Sequence, residues 1–176
     1  MTEPLQLMQF NPEWAQQYEQ AKSVLLHACE GYVNHYEHIG STAIEGLSAL
    51  PVIDLMAGVE DLNHVEKAME YIEGSNYLPI ENQYEKNVVY FFRKPRHGKL
   101  ENTLRIVKLD SPEWNNTIRF RNWLQQHPED AQRFATVKRK LLTYYQHQPD
   151  AYQQGKIPFF RHIEDQAKAS EENVSD

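Results

Sequence analysis

The pattern of hydrophobic and polar positions changes near residue 110. Before this point, short runs of β-branched and aromatic residues alternate with stretches in which apolar residues recur at helical spacing. After it, apolar residues recur every three or four positions. The pattern therefore predicts a mixed sheet with helices, followed by a packed helical segment. The predicted strands are 5–10, 32–39, 51–59, 86–93 and 103–109, with a turn or strand start at 77–79 and early helices at 12–30 and 62–73.

Prolines mark the predicted starts of the later helices. Ser111 before Pro112 is a typical N-cap followed by proline in the first turn, and Pro128 opens the next helical pattern. A third helix is predicted from Pro149, bending at Pro158 and continuing towards residue 163. These helices would follow one another with short connections.

Length and composition fit one domain. A chain of 176 residues can bury a core without disulfides, so we assign 1–169 to one domain and the acidic segment 170–176 to a frayed tail. Cys29, the only cysteine, is expected to be a buried thiol. No apolar run approaches the ~20 residues that span a bilayer, and the N-terminus lacks the pattern of a signal peptide. We therefore predict a cytoplasmic protein with no membrane partner.

Charge narrows the range of partners. The formal net charge is −7, which argues against broad electrostatic binding to nucleic acid. Residues 110–161 nevertheless carry eight basic and five acidic side chains. This excess could serve a small phosphate-bearing ligand, or it could be the solvated face of the helices.

The stretch 38–47, followed by the strand that contains Asp54, holds the candidate chemistry. Gly40 can adopt positive φ and lie close to a ligand, and Ser41 and Thr42 offer hydroxyl and backbone N–H groups to a phosphate. His38 precedes the turn and could face the same ligand. The alternatives are a simple strand-to-helix turn for 40–42 and a hydrogen-bonded strand histidine for His38.

Asp54 lies in an otherwise apolar strand, where an acidic side chain is costly unless it reaches a cation, a partner or water. We assign it as a candidate metal ligand and catalytic carboxylate, against the alternative of a structural aspartate. Four basic residues could line the same cleft and bind phosphate, or could be ordinary surface charges. They are Arg105, which alternates with Leu104 and Ile106 in its strand, and Arg121, Lys138 and Lys156 on successive predicted helices.

The chain resembles the GrpB family, an incompletely characterised branch of the nucleotidyltransferase superfamily. The resemblance rests on segments that keep their order along the chain. They are His38-Ile39-Gly40-Ser41-Thr42, Gly46-Leu47, Pro51-Val52-Ile53-Asp54, Phe120-Arg121-Asn122-Trp123-Leu124, Val137-Lys138-Arg139, and Ala151-Tyr152 with Lys156.

The resemblance implies a nucleotidyltransferase-like α/β fold, with a mixed sheet flanked by helices and a helical C-terminal segment. In that superfamily a Gly-Ser turn holds nucleotide phosphates, and carboxylates on two strands bind Mg²⁺ or Mn²⁺. Members of the GrpB family also occur fused to dephospho-coenzyme A kinases. A nucleotide or a coenzyme A-related molecule is therefore the implied ligand.

Several positions depart from the expected pattern. Leu50 stands where family members usually carry lysine, and Thr103-Leu104-Arg105 replaces a His-Leu-His pattern. Met56 occupies the position of the second metal carboxylate, and 103–109 contains no acidic residue for the third. Two functions follow as alternatives: a metal-assisted nucleotidyltransferase, or a catalytically inactive ligand-binding or protein-interaction module that retains the fold.

Overall fold

The structure, a computed structural model, describes residues 4–81, 86–93 and 100–174. Strands and helices occur in the order that the hydrophobic pattern predicts. The strands are β1 (His35–Ile39), β2 (Ile53–Val59), β3 (Tyr77–Ile80), β4 (Val89–Arg93) and β5 (Asn102–Lys108). The helices are α1 (Glu13–Ala28), α2 (His64–Gly74), α3 (Pro112–Gln126), α4 (Pro128–Tyr145), α5 (Pro149–Gly155) and α6 (Ile157–Val174), and a 3-10 turn spans Ser41–Ala43.

The five strands form one mixed sheet in the order β1-β2-β5-β4-β3. The central pair β2 and β5 is parallel, while the other three pairs are antiparallel. In the parallel pair, Asp54 lies opposite Thr103 and Met56 lies opposite Arg105. Since side chains alternate between the faces of a sheet, these four residues share one face.

The opposite face of the sheet carries the main apolar core. Leu55 and Ala57 of β2 pack there with Leu104 and Ile106 of β5 against α1 and α2. The alternation predicted for β5 is therefore confirmed, because Leu104 and Ile106 enter this core while Arg105 lies on the face of Asp54.

The helical segment packs beside the other face of the sheet. Trp114 and Ile118 of α3 lie against a small cluster that contains Met56. A separate cluster joins the segment after the 3-10 turn to the later helices through Ile44, Leu47 and Phe134. The rings of Phe120, Phe134, Phe159 and Phe160 contact one another within it. These contacts set the position of the last three helices relative to β2.

The structure differs from the predicted elements at three places. Segment 5–10 makes only a single bridge, from Met8 to Ala49, instead of a strand. The third predicted helix is two helices that meet at Lys156. Helix α6 continues to residue 174, into the predicted frayed tail, where Arg119 pairs with Glu171 at 2.9 Å. The hairpin loop predicted at 94–99 lies outside the described residues.

Polar side chains accept backbone hydrogen bonds at the two helix starts, α1 and α3, where the sequence predicts an N-cap. The Ser111 hydroxyl accepts a hydrogen bond from the Trp114 backbone N–H, which confirms the predicted N-cap of α3. At α1 the Asn11 side chain accepts one from the Glu13 N–H, although the helix begins at Glu13 and not at Pro12.

Among the described residues, no helix is both long and apolar enough to cross a membrane.

Candidate functional site

Gly40 brings its backbone directly onto the carboxylate of Asp54. Its φ of 74° and ψ of −173° belong to a region that side chains other than glycine strongly avoid. A Cβ at this position would collide with the Asp54 carboxylate oxygen Oδ2. The turn predicted at 40–42 and the acidic residue of β2 therefore lie directly against each other. We call Gly40, Ser41, Asp54, Thr103 and Lys156 the Asp54 site.

Asp54 is held by groups from distant parts of the chain. The Thr103 hydroxyl of the neighbouring strand donates a hydrogen bond to its Oδ1. Burial raises the pKa of Asp54, while the Thr103 hydrogen bond and the positive charges of Lys156 and Arg105 oppose this rise. Asp54 is nevertheless only partly buried as a residue.

Lys156 lies at the junction of α5 and α6, and it interacts electrostatically with Asp54. Its ammonium group lies 4.9 Å from the ring centre of Tyr152 and 5.9 Å from that of Phe160. Burial lowers the pKa of Lys156 to about 8, although the Asp54 carboxylate opposes this shift. The Lys156 ammonium group is thus placed by two aromatic rings, within electrostatic range of Asp54.

Lys138 is placed behind the site and is not open to a ligand. Its side chain is 1% exposed, and its ammonium group donates a hydrogen bond to the Ser48 carbonyl. It also lies 4.8 Å from the ring centre of Phe134. Burial, with smaller contributions from the charges of Lys156 and Arg139, lowers the pKa of Lys138 to about 7. It connects α4 to the segment that follows the Gly40 turn.

This buried lysine should make the stability of the protein depend on pH. Because its pKa is lower in the folded state than in the unfolded state, folding releases a proton between about pH 7 and pH 10. The cost of burying the charge is complete below pH 7 and is relieved as the pH rises. We expect the free energy of unfolding of the wild type, relative to Lys138→Met, to rise by up to about 1 kcal/mol per pH unit. Urea unfolding at pH 7 and pH 9 measures this.

Lys140 lies two residues away on α4 and is exposed, so Lys140→Met is the matched control. Its unfolding free energy should follow that of the wild type at both pH values. Equal pH dependence in the wild type and Lys138→Met would contradict the prediction.

Three of the residues predicted to bind a ligand make structural contacts instead of converging on Asp54. His38 stacks on Tyr18 with ring centres 4.6 Å apart, and its Nε2 lies 3.0 Å from the Thr42 hydroxyl. Thr42 is 3% exposed. Arg121 pairs with Glu37 at 2.6 Å and also donates to the His38 carbonyl, which joins α3 to β1.

His38 and Arg121 belong to a different concavity. A cavity of about 350 Å³ between α1, β1 and α3 is lined in part by Tyr18, Glu37, His38 and Arg121, and Asp54 is not part of its lining. Burial and the charge of Arg121 lower the pKa of His38 to about 4, so the ring is neutral at physiological pH. Their predicted role in binding phosphate is therefore separate from the Asp54 site.

Arg105 lies on the same face as Asp54, as predicted from its alternation in β5. Its guanidinium carbon is 5.5 Å from the ring centre of Tyr90 on β4, and its charge lowers the pKa of Asp54.

The sequence analysis did not predict the role of Thr103, which it described only as part of a departure from the family pattern. The signal was available, because Thr103 falls opposite Asp54 once the two strands are aligned in parallel.

The described residues do not provide the set of ligands that a divalent metal needs. Met56, at the position of the second carboxylate, is 0% exposed and packs against Ile39 and Val107. Within the described ranges no three His, Cys, Asp or Glu side chains are grouped closely enough to hold a metal ion. Mg²⁺ needs several oxygen ligands, whereas Glu37, the other described carboxylate on this face of β1 and β2, is paired with Arg121, and Asp54 lies within electrostatic range of Lys156.

Comparison with known proteins identifies the family. Residues 4–166 match the family model described as GrpB protein. The glutamate-rich protein GrpB of Alkalihalophilus pseudofirmus is 28% identical over 160 residues, covering 89% of this chain and 92% of that protein. YqkA of Bacillus subtilis is 24% identical over 164 residues, and the match covers 93% of this chain but 47% of the length of YqkA.

Solved structures give the same result for the fold. The crystal structure of GrpB from Enterococcus faecalis superimposes with a TM-score of 0.82 at 26% identity, over 92% of this chain and 96% of that one. A structure of the Cid1 poly(U) polymerase superimposes with a TM-score of 0.50 at 10% identity, over 79% of this chain and 42% of that one. The second match shows a nucleotidyltransferase-like fold and nothing further.

Proposed function

Because the chain belongs to the GrpB family, we propose that it binds a small phosphate-bearing molecule, of the nucleotide or coenzyme A class, at the Asp54 site. The observation that carries this proposal is the position of Lys156. More than a hundred residues after Asp54 in the sequence, it is close enough to act electrostatically on that carboxylate, and it is a partly exposed residue. A lysine desolvated in this way gains most from a ligand that carries negative charge.

The Gly40 turn supplies the second half of the proposed site. The first backbone N–H groups of a helical turn have no partner within the turn, and here they belong to Ser41 and Thr42 at the start of the 3-10 turn. Phosphate oxygens accept hydrogen bonds from such groups. The turn supports the proposal because the Gly40 backbone lies against Asp54, which interacts electrostatically with Lys156.

Transfer of a nucleotidyl group is the less well supported alternative. In the fold that this chain shares, that chemistry depends on metal ions that bridge phosphate oxygens. The carboxylates that would hold them are missing at Met56 and throughout 103–109. We therefore propose ligand binding without transfer.

Thermal unfolding with a panel of nucleotides and coenzyme A precursors, with and without Mg²⁺, tests the proposal. A ligand at a hundred times its Kd should stabilise the protein by about 2.7 kcal/mol. For a chain of this size, that raises the Tm by roughly 5–10 °C. Adenosine, which lacks phosphate, is the matched control and should leave the Tm unchanged.

The panel also separates the alternatives. No shift with any phosphate compound at millimolar concentration would refute the proposal and favour a protein-interaction module. If the wild type turns over a nucleotide and Asp54→Ala does not, the transferase hypothesis would be favoured over ligand binding alone.

A further inference from the structure

We infer that the Asp54 site binds its ligand without a divalent metal, and that the ammonium group of Lys156 supplies the positive charge that metal ions supply in nucleotidyltransferases. This inference rests on the proposed function and specifies how the ligand is recognised. Nucleotidyltransferases of this fold bind metal ions through carboxylates on their strands, and the described residues of this protein lack that set of carboxylates.

Of the two described carboxylates on this face of β1 and β2, Glu37 is paired with Arg121, and Asp54 is the one that lies against the Gly40 turn. Along β2 the face continues from Asp54 to Met56, which is fully buried among apolar side chains. The adjacent strand contributes Thr103, which can donate a hydrogen bond but carries no charge to bind a cation. Asp54 Oδ1 already accepts this hydrogen bond, and Oδ2 lies against the Gly40 backbone.

The charge balance favours an anion over a divalent cation. The negative charge of Asp54 is opposed by the positive charge of Lys156, so a metal ion would approach a pair with no net charge. A phosphate group would instead meet the ammonium group of Lys156.

Asp54 acts on the ligand through Lys156. Its negative charge opposes the loss of the Lys156 proton that burial favours, so it keeps the ammonium group charged. The rings of Tyr152 and Phe160 hold the lysine stem and restrict where the charge can lie. Asp54 is therefore a positioning residue for the cation.

The first test measures ADP binding by calorimetry in EDTA and in Mg²⁺, for the wild type and three variants. The wild type should bind ADP in EDTA at least as tightly as in Mg²⁺. Lys156→Met should weaken binding roughly tenfold to a hundredfold, the range for a charge-assisted hydrogen bond. Lys156→Arg should retain most of the affinity, and Lys168→Met, an exposed lysine on α6, should bind like the wild type. The Tm of each variant without ligand verifies that it folds.

A second test measures Mn²⁺ alone, by the electron paramagnetic resonance signal of the free ion. The wild type should not deplete free Mn²⁺ at micromolar concentration. Tight Mn²⁺ binding, ADP binding that requires Mg²⁺, or full affinity in Lys156→Met would each overturn the inference. If no phosphate compound binds under any condition, the proposed function fails, while the Mn²⁺ titration still decides whether the site can hold a metal.

Discussion

Replacing Met56 with aspartate should lower the free energy of unfolding by about 3 kcal/mol, the cost of burying a carboxylate whose lost hydration a nearby cation offsets only in part. Met56 is 0% exposed and is enclosed by Ile39, Val88 and Val107. An aspartate there would restore the usual pair of carboxylates on β2, but it would be buried among apolar side chains, with Arg105 opposite it on β5 and the Glu37 carboxylate opposite it on β1. Urea unfolding at neutral pH measures the loss.

Two further substitutions separate charge from shape at this position. Met56→Leu keeps the volume and should cost less than about 1.5 kcal/mol. Met56→Asn is polar but uncharged and should cost about 1–3 kcal/mol. The deficit of Met56→Asp should shrink as the pH falls, because burial raises the pKa of its carboxyl group, whereas that of Met56→Asn should not.

A loss below about 1 kcal/mol in Met56→Asp, less than an unpaired buried polar group normally costs, would contradict this account. The position would then tolerate a carboxylate. The missing metal ligand would be a matter of residue choice and not of packing.

Gly40→Ala should destabilise the protein by about 2–4 kcal/mol, since strain and overpacking add at this position. The backbone conformation of Gly40 is one that alanine avoids, and the new Cβ would collide with the Asp54 carboxylate. Displacing that carboxylate should also weaken its hydrogen bond from Thr103. We therefore expect weaker ligand binding together with lower stability.

Gly46 provides a matched control. It also has positive φ, at 81°, but a Cβ there would meet nothing within 4 Å. Gly46→Ala should therefore show the backbone strain alone, about 1 kcal/mol. In a double-mutant cycle, Asp54→Ala should relieve part of the cost of Gly40→Ala, because the carboxylate that collides is removed. Equal costs at both glycines would mean that Gly40 does not touch Asp54.

Much of the architecture follows from local patterns. The change of period near residue 110, the Ser111 cap and the alternation of Arg105 with its apolar neighbours all depend on residues close together in sequence. Local signals failed where an element depends on a distant neighbour. The segment 5–10 alternates like a strand, yet only Met8 finds a partner, at Ala49, so it forms one bridge.

In the candidate site, too, some features follow from the local sequence and others depend on residues that are distant in the chain. The sequence by itself determined the family, the Gly40 turn, the single carboxylate at Asp54 and its apolar neighbour Met56. Only the tertiary structure decided which basic side chains reach Asp54. Arg121 and Lys138 were equally good candidates from sequence, but Arg121 pairs with Glu37 and Lys138 is buried against Ser48.

Lys156 lies within electrostatic range of Asp54, and its ammonium group contacts the rings of Tyr152 and Phe160 in the last helices. Phe120, Phe134 and Phe160 contact one another and set where the α5–α6 junction lies relative to β2. Helical periodicity predicts which side of a helix is apolar, but it does not specify which other element that side will contact. The position of a charge beside a distant carboxylate is therefore a property of the folded chain.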